Sequence, residues 1–179
     1  MREALAARKE IKEGHETAVI TAFVKCLRFQ IISRPNPPDA VLKSGDNLTW
    51  VEHADIYRSA DEAHEEYSHV TPGETPFIHR EHPILEPDQR TAQQVLVTLQ
   101  DKLNKDSYAE AFNKYGKGIL VLSERDPLFS ESTLEEICNV VTDYVNHDPR
   151  GGRGFFKEVY LYYWDNNKRI RIFEKLITF

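Results

Sequence analysis

Apolar residues recur at three- and four-residue steps near the start of the chain: Ile11, Ala18, Val19, Ala22, Phe23, Cys26 and Leu27, with charged residues between them. That spacing predicts a helix over residues 2–29, weakened locally at Gly14. RPNPP (34–38) must end it, because proline lacks an amide donor and clashes inside a helix. FQIIS, between the two, reads as a short strand. DAVLK (39–43) and TWVEHADIY (49–57) read as two further strands, and SGDN (44–47) as the turn that makes them a hairpin.

Residues 58–90 are polar and proline-rich, and read as a long surface excursion of the kind that carries function. Helical spacing returns from Arg90 to Tyr115, with Val95, Leu96, Leu99 and Leu103 as the inner stripe and Gly116 as a C-cap. KGILVLSE (117–124) is a continuous apolar run, as expected of a central strand covered on both faces. STLEEICNVVTDYVN (132–146) is helical, and opens with a capping-box pattern from Ser132 or Thr133. After a loop, HDPRGGRG, the segments FKEVYLYYW and KRIRIFEKL form a closing hairpin around DNN. The order predicts one α/β domain over 1–179, a three-layer sandwich with a central mixed sheet plus a C-terminal β-hairpin. No glycine-rich phosphate loop opens a helix, so neither a Rossmann nor a P-loop reading has support.

Composition adds little to this but excludes some classes. The chain has 179 residues, 40% hydrophobic and 29% charged, which suits a globular core. No apolar run approaches membrane length, and the charged N-terminal stretch lacks a signal-peptide core. Two separated cysteines, Cys26 and Cys138, are expected to be buried thiols in a reducing cytoplasm. Net charge is −6, unlike a protein that coats nucleic acid. Base is concentrated at the two ends of the chain and acid in the middle, around Glu52. That is the pattern of ordinary uneven surface charge, and it also suits a metal site beside a phosphate-binding surface.

The hairpin offers the clearest chemistry. An acid where one strand begins lies near an acid in the middle of its partner when the turn sets the register, and Asp39 and Glu52 meet that condition. Along the second strand Trp50, Glu52, Ala54 and Ile56 share one face, and Val51, His53, Asp55 and Tyr57 the other. A glutamate among apolar neighbours is costly to bury without a partner such as a cation. Mg²⁺ prefers such hard oxygen ligands.

"PD" at 38–39, a 12-residue gap and "EHA" at 52–54 resemble the PD-(D/E)XK nuclease superfamily. The family's helix–strand–hairpin–helix–strand core matches the element order from Arg2 to Glu124, about two-thirds of the chain. The resemblance implies a restriction-endonuclease-like core and a Mg²⁺- or Mn²⁺-dependent endonuclease acting on DNA. It makes Asp39 and Glu52 metal ligands, with Glu16, or Glu13, as the additional acidic residue of the first helix. The motif lysine falls on Ala54, a departure from the pattern. Lys43, on the Asp39 face of the preceding strand, and Lys102, in the helix the family packs beside the site, are the candidate replacements. Gln93 or Gln94 could hold a water without strongly activating it, and His53 would serve only through a β-bulge.

Other signals are weaker. HEEYSH (64–69) spaces its histidines five apart, so they do not share a helical face as a zinc-protease motif requires, and His79 and His82 read as solvated loop residues. Cys138 sits in an apolar stripe and no GxSxG occurs, so nucleophilic catalysis lacks a candidate. VYLYYW followed by KRIRIF would suit a stacking surface for single-stranded nucleic acid, and equally the alternating faces of a strand pair. Two functions follow: a metal-dependent nuclease, or a non-catalytic interaction protein on an eroded nuclease fold. The aromatic closing hairpin adds the expectation of a symmetric homodimer.

Overall fold

The computed structural model describes residues 2–57, 65, 68–69, 86–124, 129–147 and 154–179. Most of the 58–90 excursion, the histidines 64, 79 and 82, and the loop 148–153 lie outside them. The described chain runs α1 (Arg2–Leu27), β1 (Gln30–Ser33), β2 (Ala40–Ser44), β3 (Asn47–Asp55), α2 (Pro87–Leu103), a 3-10 turn (Asp106–Tyr108), α3 (Ala109–Tyr115), β4 (Gly118–Ser123), α4 (Glu131–His147), β5 (Phe156–Asp165) and β6 (Ile170–Thr178).

The strands form one mixed sheet in the order β1-β2-β3-β4-β5-β6. β3 and β5 flank β4 in parallel, and every other pair is antiparallel. Val19, Ile20 and Phe23 of α1 cover one face, against Leu42, Val51 and Val121. Ala92, Val95 and Leu99 of α2 with Ile137 and Val141 of α4 cover the other, against Trp50 and Leu120. Two covered faces explain why β4 is buried at all six positions and β3 from Thr49 to Ala54. The closing hairpin extends the sheet, as its sequence predicts, and β6 forms an edge.

Three expectations need correction. The stripe on α1 runs through Val19, Ile20 and Phe23, so Ala18 and Cys26 are exposed, and Cys26 is not a buried thiol. Residues 90–115 are two helices with a 3-10 turn between them. The break falls in NKDS (104–107), where Asn104, Asp106 and Ser107 favour turns. The capping box of α4 starts earlier, at Ser130: the Thr133 amide donates to Ser130 Oγ, and the Ser130 amide to Thr133 Oγ1, both at 3.2 Å.

One packing arrangement locks the central strands beside the site. The Trp50 indole lies so close over Gly118 that a Cβ there would stand 2.4 Å from the ring. Its Nε1 donates to the Gly116 carbonyl at 2.8 Å. Gly116 has φ 74° and ψ −158°, a conformation open in practice to glycine alone. Trp50 thereby ties β3 to the start of β4, and Tyr108 stacks on it with ring centroids 5.5 Å apart.

Candidate functional site

β2 begins with Ala40 opposite Val51, so the same register sets Asp39 opposite Glu52. Directly opposed residues of an antiparallel pair point to the same face. Ala40 and Leu42 face α1, which turns Asp39 to the other side, where Glu52 lies. β3 runs on to Asp55, past the start of β2, and leaves its edge amides without strand partners there. Asp39 supplies one partner: its Oδ2 accepts the His53 backbone N–H at 2.7 Å.

Both carboxylates are buried, at 8% and 7% exposure, which is unusual for acids and requires compensation. Glu52 Oε1 receives two donors, the Lys102 ammonium at 2.8 Å and the Tyr108 hydroxyl at 2.9 Å. Lys102 comes from the last turn of α2, and Tyr108 from the 3-10 turn that follows. Glu52 Oε2 is shielded from solvent and accepts no hydrogen bond among the described residues.

Glu16 enters from α1. Burial and then the Glu52 charge raise its carboxyl above the usual range, with Lys12 and Arg34 pulling the other way. Asp39 is pushed up to about 7 by burial first and by Glu52 second, against the opposing pull of the His53 amide. The Glu52 charge in this low-dielectric region thus raises the cost of ionising both Asp39 and Glu16. All three line a cleft of about 760 Å³, together with Lys9, Lys12, Thr98, Asp101 and Lys102. The three carboxyl groups do not each bring an oxygen within 4.8 Å of the others, so a cation held by all three would have to draw them together.

Of the sequence candidates, Asp39, Glu52, Glu16 and Lys102 line this cleft, and Glu13 does too. Lys43 does not. It pairs with Gln30 and Leu48 toward the far end of β2, four residues from Asp39 and so roughly 13 Å along the strand. Gln93 and Gln94 are likewise absent from the lining. Position 54 is a buried alanine facing the α2 core.

Two features escaped the sequence reading. Tyr108 fell inside a helix predicted to be continuous, and only the turn residues before it hinted otherwise. The second lies on the α1 face of the sheet. There the His53 side chain, with Asp55 two residues on, meets His15 of α1, and one donor atom from each lies within 4.8 Å of the others. His15 stands four residues before Val19, so it occupies the inward stripe of α1; a polar residue on that stripe was the available signal. This group could hold a metal ion.

No family model, no curated protein and no solved structure matches the chain.

Proposed function

We propose that the chain is a divalent-metal-dependent phosphodiester hydrolase of PD-(D/E)XK type acting on DNA, with Lys102 in place of the motif lysine. The observation that carries this reading is the state of Glu52. One of its oxygens is held by Lys102 and Tyr108, and the other is buried with no donor among the described residues. A purely structural carboxylate would leave no oxygen so exposed to an unmet desolvation cost.

Asp39 and Glu52 would hold Mg²⁺ or Mn²⁺, with Glu16 binding directly or through water. Such an ion lowers the pKa of an attacking water and offsets the charge that develops on the phosphate. Tyr108 and Lys102 fix the Glu52 carboxylate in one orientation. The Lys102 ammonium adds positive charge at the cleft, where it can orient a water and stabilise negative charge on the scissile group. Lys9 and Lys12, on the rim, supply phosphate-neutralising charge to a protein that is acidic overall.

The second reading, an interaction protein on an eroded nuclease fold, has Ala54 in its favour, and the Lys102–Glu52 pair would then serve stability alone. Incubation of duplex and single-stranded DNA with Mg²⁺ or Mn²⁺ separates the two. Metal-dependent cleavage, lost in a folded Glu52→Gln variant, supports the hydrolase. No cleavage and no heat of Mn²⁺ binding at millimolar concentration would transfer the case to the interaction protein.

A further inference from the structure

A second set of ligating side chains lies on the other face of the sheet, and the hydrolase reading does not use it. His53 and Asp55 alternate with Ala54 on β3, so both project toward α1, which presents His15 beside them. His15 Nδ1 lies 3.1 Å from Asp55 Oδ1, and His53 Nε2 lies 3.6 Å from the same oxygen. The two imidazole rings are tilted by 60°, with centroids 5.6 Å apart, so they do not stack but converge. His15 Nδ1 is cut off from solvent yet makes no hydrogen bond among the described residues, although a carboxylate oxygen is near.

We propose that His15, His53 and Asp55 form a binding site for a transition-metal ion of the zinc class, distinct from the Asp39–Glu52 carboxylate pair. The spacing fits. Tetrahedral bonds of about 2.0–2.1 Å put neighbouring donor atoms about 3.3–3.4 Å apart. The two separations to Asp55 Oδ1 fall on either side of that value. The donor set fits as well. Two imidazole nitrogens and one carboxylate oxygen suit zinc and its neighbours, whereas magnesium and calcium favour oxygen alone.

Two consequences follow from where the ligands sit. A metal here would join α1 to β3 by direct bonds, clamping the helix at the residue next to Glu16. It would also fix the side chain of His53, whose backbone amide holds Asp39. Three protein ligands leave a fourth position, and His53 and Asp55 both line the cleft, so a water or a small anionic ligand can complete the set.

The test uses the full chain stripped with a chelator, then titrated with Co²⁺ and with Zn²⁺. The expected result is one equivalent of Co²⁺ giving the visible absorption of a tetrahedral site, displaced by Zn²⁺, with a rise in melting temperature. His15→Ala, at a half-buried position, and Asp55→Asn should each weaken binding on the order of 100-fold or more, since losing even an outer partner of a metal ligand costs 10–100-fold. Glu52→Gln should leave Co²⁺ binding unchanged. The proposal is overturned if wild-type protein shows no Co²⁺ absorption, if both ligand variants bind as wild type does, or if Glu52→Gln removes the signal. The last outcome would put the ion at the Asp39–Glu52 pair. Mg²⁺-dependent cleavage is read separately, so either site can fail while the other stands.

Discussion

Lys102 donates to Glu52 Oε1 at 2.8 Å across fifty residues of chain, so a helix brings to the carboxylate the cation that its own strand lacks at position 54. The pair is only partly open to solvent, with side-chain exposures of 15% and 9%. In that setting the contact is stronger than a surface ion pair, and its loss leaves the buried carboxylate without a counter-charge there, with the Tyr108 hydroxyl as its remaining donor at Oε1.

On the proposed hydrolase reading, Lys102→Met should lower DNA cleavage by about 100-fold or more, and in any case stability by about 1–3 kcal/mol. Lys43→Met should change stability by less than about 0.5 kcal/mol, as surface substitutions usually do, and leave cleavage near wild type. Single-turnover cleavage rates and urea denaturation check both. Equal losses from the two variants would remove the special role of Lys102.

Tyr108→Phe isolates the second donor. The ring keeps its stacking on Trp50 and its edge contact with Phe156, at centroid separations of 5.5 and 5.2 Å. Only the hydroxyl is lost, so the expected cost is about 1 kcal/mol in urea denaturation. Cleavage should fall less than in Lys102→Met, because the hydroxyl orients Glu52 without supplying charge.

Gly118→Ala tests the wedge that carries β3. A Cβ 2.4 Å from the Trp50 ring cannot be accommodated without moving the indole, which is fully buried and bonded to Gly116. Overpacking of this kind costs about 1–3 kcal/mol. Melting temperature should drop, and cleavage should drop with it, since Glu52 stands two residues from Trp50 on the same face.

Asp88→Ala tests the contact between the two helices of one layer. The Asp88 carboxylate near the start of α2 accepts the Ser132 hydroxyl at 2.7 Å and the Thr133 hydroxyl as well, both from the first turn of α4. Loss of both should cost about 1–2 kcal/mol, read by denaturation, with metal binding in either site unaffected.

The elements of this protein follow from local patterns. Apolar periodicity marked α1, α2 and α4, the continuous run GILVLS marked the central strand, and SGDN set the turn that puts Asp39 opposite Glu52. That register is a local consequence of a short hairpin, which is why two carboxylates of the cleft were legible in the chain. Lys102 could be named from its helix but not preferred over Lys43. The choice depends on where α2 lands on the sheet, and two faces packed against one β4 decide that. Tyr108 and the trio of His15, His53 and Asp55 left only faint signals, a turn before Tyr108 and a polar residue on the inward stripe of α1. Their side chains meet only because α1 and the 3-10 turn are pressed onto β3 by Phe23, Trp50 and their neighbours. Burial fixed by packing, which no sequence spacing encodes, leaves Glu52 Oε2 without a donor among the described residues and brings two imidazoles to one carboxylate.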